Sequence, residues 1–189
     1  KNHREMAKII YKSGKRLKDT LNSILDLSKI ESQKLDLKFS SVDLVTLLQE
    51  CKYAFSDSVT YKGIMLNTSF DQQKILINSD GSIVYKVLCN IIDNSIKYTN
   101  NGEIDIEVSS TDESAIIKVK DTGIGIPQES IDQIFEPFRQ GSEGLSRTYE
   151  GMGLGLTITK KYIELLGGKI NIESEQGKGT TITIKFPKN

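Results

Sequence analysis

The sequence predicts an α+β domain, with helices on one face of a mixed sheet, preceded by one long helix. From about residue 36 onward, helical patterns are mixed with several short alternating segments that resemble hairpins. Before that point, residues 2–31 repeat apolar side chains at spacings of three, four and seven, with no proline. We therefore expect two regions, residues 1–35 and residues 36–189.

The composition narrows the class of protein. The chain has 25 Lys and Arg residues against 25 Asp and Glu residues, so its charge gives no reason to expect nucleic acid as a partner. No apolar run approaches the roughly 20 residues that span a bilayer. Cys51 and Cys89 lie in apolar helical patterns, and we interpret them as reduced core thiols. We expect a cytoplasmic domain cut from a longer protein, whose membrane attachment the sequence leaves open.

Each element has its own signal. The long helix has more than one apolar face, which calls for a partner helix in a bundle or dimer. Residues 33–41 alternate as a connecting strand, and Asp43 can cap a helix over about 43–59. The remaining helices are predicted at 82–98, 128–135 and 153–166, and the remaining strands at 64–70, 75–78, 103–109, 115–120, 169–174 and 180–186. Residues 136–152 lack periodicity, which is typical of a lid or a disordered loop.

The 82–98 helix carries a polar stripe. Asn90, Asn94 and Lys97 stand at i, i+4 and i+7, with Asp93 beside them. Amide oxygens suit a Mg²⁺ ion that also holds phosphate oxygens, and a lysine can neutralise phosphate charge. The alternative is the solvated face of an amphipathic helix. Two asparagines in a helix interior are unfavourable by propensity, which favours the functional interpretation.

Two glycine segments, residues 121–127 and residues 151–156, suggest a pocket for a phosphorylated ligand. Asp121, at a strand end, can accept a hydrogen bond from an exocyclic amine such as that of adenine, although a plain turn is the alternative. Gly151-Met-Gly-Leu-Gly-Leu156 enters a helix whose first N–H groups can bind an anion. Its preceding loop and its spacing fit neither a dinucleotide fingerprint nor a Walker A motif.

Two further segments lie beside these. Phe135 and Phe138 flank a proline and are predicted to anchor the following loop as a hydrophobic plug. Arg139 and Arg147 are within reach of a phosphate from that loop. Residues 177–181 form a hairpin turn, where a threonine hydroxyl can face the pocket.

Taken in order, these segments resemble the N, first-glycine, F and second-glycine boxes of the GHKL ATPase superfamily. More closely, residues 40–187 resemble the catalytic ATP-binding domain of sensor histidine kinases. Residues 1–35, with Leu25-Asp-Leu-Ser-Lys-Ile-Glu31, resemble the second helix of the dimerisation and histidine-phosphotransfer hairpin. The resemblance implies a two-layer α/β sandwich, ATP bound between helices under a mobile lid, and protein-histidine kinase activity.

The resemblance also implies residue roles. Asn94 holds Mg²⁺ with Asn90 assisting, Lys97 contacts phosphates, Tyr98 packs near the nucleotide, and Arg147 is a lid residue near the γ-phosphate. Asp121 binds the adenine amine. The other nucleotide-binding positions are Gly123, Gly125, Ile126, Gly151, Gly153, Leu154, Gly155, Leu156 and Thr181.

Two departures refine the activity. In ATP-hydrolysing relatives, a glutamate four residues before the magnesium asparagine activates water, whereas Asn90 cannot act as a general base, so phosphoryl transfer is favoured. His3 is the only histidine and lacks the expected Pro context, so we expect an exposed residue and an acceptor histidine upstream of Lys1. Expected partners are ATP, that acceptor hairpin, a response regulator whose aspartate receives the phosphoryl group, and a second copy of the parent chain. The alternatives are a nucleotide-sensing module with little catalysis, or a GHKL ATPase.

Overall fold

The computed structural model describes residues 2–139 and 153–188. The chain divides into two compact units, Lys1–Asp36 and Leu37–Asn189. Among the described residues, no helix combines the length and the apolarity that crossing a membrane requires.

The first unit is built on helix α1, Asn2–Glu31, which confirms the range that the apolar spacing predicts. Glu5 in the first turn and Lys29 in the last turn complement the helix dipole. The helix ends where Gln33 takes a left-handed φ of 54°. Large apolar side chains along α1 are 43% to 74% exposed: Met6, Ile9, Ile10, Tyr11, Leu17, Leu21, Ile24 and Leu25.

The second unit contains the sheet and its helices. The helices are α2 (Leu44–Ala54), α3 (Ser56–Lys62), α4 (Gly81–Tyr98) and α5 (Gly155–Leu165), with a short 3₁₀ helix at Gln128–Ser130. The strands are β1 (Ser40–Asp43), β2 (Met65–Phe70), β3 (Leu76–Ser79), β4 (Glu103–Ser110), β5 (Ser114–Asp121), β6 (Lys169–Glu175) and β7 (Gly179–Pro187).

The main sheet is mixed and has the strand order β2-β4-β5-β7-β6. Strand β2 is parallel to β4, and the other neighbours are antiparallel. One face of β5 is buried through Ala115, Ile117 and Val119, whereas Lys118 and Lys120 on the other face are exposed. Helix α4 packs on β5 and α5 on β6, and the two helices contact each other. The predicted α+β sandwich, with helices on one face of the sheet, is therefore confirmed.

The N-terminus of α4 is fixed by the buried carboxylate of Asp80. It accepts hydrogen bonds from the backbone N–H groups of Ser82, Ile83 and Lys38 and from the Ser82 hydroxyl. Burial raises the pKa of Asp80, but these hydrogen bonds outweigh burial and the net pKa is lowered. This cap sets where α4, and hence its polar stripe, begins.

The predicted connecting strand over 33–41 is wrong. Residues 34–39 have no regular structure, and strand β1 covers Ser40–Asp43, where it pairs with β3 in a separate two-stranded sheet. The reason is tertiary, because the Lys38 N–H donates to the Asp80 cap at 2.8 Å and not to a neighbouring strand.

Two predicted helices also differ. The helix predicted over 43–59 breaks at Phe55, whose ψ of 2° ends α2 and starts α3. The Asp43 cap is confirmed, since its side chain accepts from the Val45 N–H. The helix predicted over 128–135 is only the 3₁₀ turn at Gln128–Ser130, followed by bonds such as Gln133 N–H to the Ser130 carbonyl.

Helices α2 and α4 meet at a pair of thiols. The sulfurs of Cys51 and Cys89 lie 3.8 Å apart, within hydrogen-bond distance, and both cysteines are free. The hydrogen bond from Cys51 and a second one from Tyr85 lower the pKa of Cys89 to about 7, with burial opposing them. The hydrogen bond to Cys89, together with burial, raises the pKa of Cys51.

Candidate functional site

The polar stripe of α4 runs along the boundary between its buried and exposed faces. Asn90, Asn94 and Lys97 are all half-buried, as is Tyr98, while Asp93 is exposed. The Lys97 ammonium lies 4.9 Å from the centre of the Tyr98 ring. These side chains are partly shielded from water yet open to a ligand, which a fully solvated helix face is not.

The C-terminus of α4 is held by Lys62, at the end of α3. Its ammonium donates to the carbonyls of Ile96 at 2.6 Å, Lys97 at 3.0 Å and Thr99 at 3.1 Å. Burial lowers the pKa of Lys62, and the charge of Asp93 opposes that shift. This ammonium caps carbonyls that the helix itself leaves without partners. This role of Lys62 was missed in the sequence.

Asp121 forms a buried acceptor at the end of β5. It is 6% exposed, and its Oδ1 accepts from the N–H groups of Gly123 at 3.0 Å and Thr180 at 3.2 Å. Its Oδ2 accepts from the Ser95 hydroxyl at 3.2 Å. Burial raises the pKa of Asp121, and these hydrogen bonds act against that shift. A carboxylate has about four acceptor positions, so beside these three donors it can still receive one ligand N–H.

Ser95 was missed in the sequence, although a signal for it was present. It stands on the buried face of α4, four residues after Ile91, in a series that is otherwise apolar. A hydroxyl at such a position needs a buried partner, and Asp121 provides it.

The hairpin between β6 and β7 supplies Thr180, not Thr181, to this acceptor. In the β5–β7 register, Asp121 pairs with Thr180 and Lys120 pairs with Thr181. Because side chains alternate along a strand, Thr181 lies on the opposite face of the sheet from Asp121. The sequence prediction for Thr181 is therefore corrected to Thr180, whose hydroxyl lies 2.9 Å from that of Ser174.

The first glycine segment is locked onto its neighbours by close backbone packing. A Cβ at Gly123 would lie 2.6 Å from the Tyr98 carbonyl oxygen, and one at Gly125 would lie 2.0 Å from the Glu175 carbonyl oxygen. The turn is joined to α4 through the Ile124 N–H and to the β6–β7 hairpin through the Ile126 N–H, which bonds Ser174 at 2.8 Å. These glycines thus allow the wall around Asp121 to form.

The second glycine segment lies against the stripe of α4. Gly155 is the first residue of α5, and a Cβ there would lie 2.7 Å from the Asn90 Oδ1 atom. The Asn90 Nδ2 atom donates to the Thr159 hydroxyl at 2.6 Å. Asn90 therefore ties α4 to α5. Leu154 is buried and Leu156 is half-buried, on either side of this contact.

The Phe135–Arg139 segment, which lies between the two glycine segments, fits the predicted hydrophobic plug only in part. Phe135 is half-buried, with the Lys160 ammonium 5.0 Å from its ring centre, but Phe138 is 64% exposed and does not form a buried plug. Arg139 pairs with Glu136 at 2.9 Å, and its carbonyl contacts Gly153, which has a φ of 70°. The predicted positions Arg147 and Gly151 lie outside the described residues.

Two walls therefore flank α4. One is the buried, hydrogen-bonded carboxylate of Asp121, and the other is a tight contact between Asn90 and the start of α5. An acceptor for an amine, an amide stripe, a lysine and a glycine-led helix start are the parts of a nucleotide site. Fold and site together define the class as a nucleotide-binding α/β sandwich domain.

Comparison with known proteins gives the family. The family described as histidine kinase-, DNA gyrase B-, and HSP90-like ATPase matches residues 79–189, more than half of the chain. The chain belongs to this family, and its relatives within it are sensor histidine kinases.

Three similar proteins illustrate the relationship. Hybrid signal transduction histidine kinase B of Dictyostelium discoideum is 36% identical over 190 residues, covering 97% of this chain and 10% of that protein. Full-length ShkA, solved in complex with AMPPNP, aligns with a TM-score of 0.85 and 25% identity over 99% of this chain and 39% of that one. Histidine kinase ThkA, solved in complex with response regulator protein TrrA, aligns with a TM-score of 0.77 and 27% identity over 96% of this chain and 50% of that one. The chain spans 10% to 36% of the length of its curated relatives.

Proposed function

We propose that the second unit, Leu37–Asn189, binds ATP with Mg²⁺ and donates the γ-phosphoryl group to a histidine on a phosphoacceptor hairpin. From there the group passes to an aspartate of a response regulator. The observation that carries this proposal is the buried Asp121 carboxylate, which is positioned by Gly123, Thr180 and Ser95 to accept an amine. The AMPPNP bound by ShkA and the response regulator bound by ThkA, both similar to this chain, support it.

The residues fit the ligand in chemical type. Among the described residues there is no group of three or more His, Cys, Asp or Glu side chains that could hold a metal by itself. A Mg²⁺ ion here would instead be shared between Asn94 and phosphate oxygens, the usual coordination for this ion. When bound, it would supply charge neutralisation for the phosphates.

The protein's own contribution is positioning. Asp121 fixes the adenine, and the Gly153–Leu156 segment presents the first N–H groups of α5 to the phosphates. Lys97 adds a positive charge from α4, while Asn90 holds α5 against the stripe. In phosphoryl transfer, such positioning and charge neutralisation supply most of the catalysis. Arg147 and Gly151 remain sequence-based parts of this proposal.

Phosphotransfer to a supplied acceptor tests the proposal. The 189-residue chain is incubated with Mg²⁺, γ-labelled ATP and a separate acceptor hairpin, and we expect acid-labile label on the hairpin. His3→Ala should leave that label unchanged. Asn94→Ala should reduce it to background because the Mg²⁺ ligand is lost, whereas Asn67→Ala, an exposed asparagine on β2, should have no effect.

Other outcomes identify the alternatives. Phosphohistidine on the chain itself that disappears in His3→Ala would contradict an external acceptor. ATP binding without transfer would indicate a nucleotide-sensing module. Release of inorganic phosphate that depends on Asn94 would indicate an ATPase.

We further propose that the domain works in the cytoplasm, where ATP is available, as part of a homodimer.

A further inference from the structure

The thiol pair between α2 and α4 has no part in the proposed phosphotransfer. The sulfurs of Cys51 and Cys89 lie 3.8 Å apart although the residues are 38 positions apart in the chain. Cys51 is fully buried, whereas Cys89 is partly exposed. The sequence interpretation of two separate core thiols misses this juxtaposition.

We propose that Cys51 and Cys89 form an oxidisable dithiol, which a hydroperoxide converts into a reversible disulfide joining α2 to α4. The different exposure of the two sulfurs assigns their order of reaction. Cys89 is the thiol that an oxidant reaches, and Cys51, behind it, is the thiol that resolves the product.

The chemistry balances for a hydroperoxide as the oxidant. The Cys89 sulfur attacks the O–O bond, which breaks to release an alcohol or water and leaves a sulfenic acid on Cys89. The Cys51 sulfur then attacks that sulfenic sulfur, the S–O bond breaks, and the oxygen leaves as water with the Cys51 proton. The two sulfurs lose two electrons in total, and the O–O bond of the hydroperoxide gains them. Thiol–disulfide exchange with a small dithiol reverses the change.

Forming the bond requires a local movement. A disulfide needs a sulfur–sulfur distance of about 2.05 Å, much less than the observed 3.8 Å. The side chains must rotate, or α2 and α4 must approach each other. Cys89 directly precedes Asn90, whose amide lies between Gly155 and Thr159 with little spare room. A displacement at Cys89 is therefore transmitted to the contact that joins α4 to the start of α5.

This second step rests on the proposed function. If the α5 start binds phosphates, the disulfide weakens nucleotide binding, and the dithiol then couples the redox state to the kinase site. Coupling between sites commonly changes affinity by about fivefold or more.

Disulfide formation is tested first, with the folded 189-residue chain and hydrogen peroxide. We expect the loss of two hydrogens by intact mass, loss of both titratable thiols, and a monomer on a non-reducing gel, all reversed by dithiothreitol. Cys51→Ala should instead accumulate a sulfenic acid on Cys89 that dimedone traps, and Cys89→Ser should react only when unfolded in urea. Cys51→Ser provides a second substitution at the buried site if the alanine variant does not fold.

Three results would overturn the proposal. They are native thiols that survive the peroxide, an intermolecular disulfide in place of the internal one, and equal reactivity of Cys51 and Cys89 in the single variants.

Nucleotide binding is measured next, with a fluorescent ATP analogue on the reduced, oxidised and re-reduced chain. We expect the affinity for the analogue to fall by about fivefold or more after oxidation and to recover on reduction. Peroxide treatment should leave the affinity of Cys89→Ser unchanged. Equal affinity in all states of the wild type would refute the coupling while the ATP site stands. Failure of the reduced chain to bind would instead refute the proposed function, and the coupling with it.

Discussion

Asp121 combines a requirement of the site with a cost to the fold. Its carboxylate is buried at 6% exposure, and burial raises its pKa because the charged form is poorly solvated there. Gly123, Thr180 and Ser95 offset part of that cost with hydrogen bonds. A residue kept in this state is expected where the negative charge recognises a ligand.

We predict that Asp121→Asn separates binding from stability. Binding of an ATP analogue should weaken roughly tenfold to a hundredfold, because a hydrogen bond to a charged acceptor contributes about 1.5–3 kcal/mol. The melting temperature should stay equal or rise, since the amide oxygen can still accept from Gly123 and Thr180 while the buried charge is gone. Fluorescence titration and thermal unfolding measure the two effects.

The pH dependence of this variant follows from the sign of the shift. The pKa of Asp121 is raised in the folded chain, so the folded state takes up its proton at a higher pH than the unfolded state does. The stability advantage of Asp121→Asn is therefore largest at neutral pH and shrinks as the pH falls through that pKa. Asp112→Asn, in the exposed turn between β4 and β5, should change neither stability nor binding. A variant less stable than the wild type at neutral pH would refute this account.

At the scale of elements, the site depends on how turns and helix ends are fixed to their neighbours. The turn after β5 is bonded to α4 and to the β6–β7 hairpin, and the end of α4 is bonded to α3. These hydrogen bonds between elements position the side chains of the α4 stripe and of Asp121.

Two glycines that both have a left-handed φ allow a matched test of the turn after β5. Gly125 has a φ of 66° and would place a Cβ 2.0 Å from the Glu175 carbonyl oxygen, whereas Gly177 has a φ of 83° and open space around it. Gly177→Ala should lose about 1–2 kcal/mol of unfolding free energy, from left-handed strain alone. Gly125→Ala should lose about 1–3 kcal/mol more, because the added methyl forces the hairpin away. Urea unfolding measures both, and equal losses would show that the contact with Glu175 relaxes freely.

The cap on α4 gives a second prediction at this scale. Lys62→Met keeps most of the side-chain stem but removes the ammonium that bonds three carbonyls, so the free energy of unfolding should fall by about 1–3 kcal/mol. Lys120→Met, on the exposed face of β5, is the control and should stay within about 0.5 kcal/mol of the wild type. Similar values for the two variants in urea unfolding would show that the cap contributes nothing.

At the scale of the whole molecule, the two units differ in how far their large apolar side chains are buried. The second unit buries its own core between the sheet and its helices, for example Leu88, Ile91 and Ile117, which are all 0% exposed. Helix α1 leaves its large apolar side chains exposed, so it is the part of the described chain that calls for a partner helix.

We predict that residues 37–189 fold alone as a monomer and bind an ATP analogue with unchanged affinity. The 189-residue chain should self-associate through α1, because pairing buries its apolar stripe. Light scattering coupled to size exclusion checks both species. Leu17→Lys combined with Leu21→Lys should return the full chain to a monomer. Self-association of residues 37–189 to the same extent would place the interface outside α1.

Sequence reasoning succeeded where a signal is local. The apolar spacing gave the range of α1, the Asp43 cap gave the start of α2, and the boxes gave the family. It failed where the local structure or the facing side chain is set by residues far away in the chain. The Lys38 N–H bonds Asp80 and leaves no strand over 33–41, and the register of β7 against β5 selects Thr180 over Thr181.

The sequence by itself determined the family, most of the elements and their order, because periodicity, caps and glycine turns act over a few neighbouring residues. Only the tertiary structure decided which side chains meet. Asn90 bonds Thr159, 69 positions away, Asp121 accepts from Thr180, 59 positions away, and the sulfur of Cys51 lies beside that of Cys89, 38 positions away. The physical reason is that such pairs depend on strand register and helix packing, which are set by the whole core and by no local pattern.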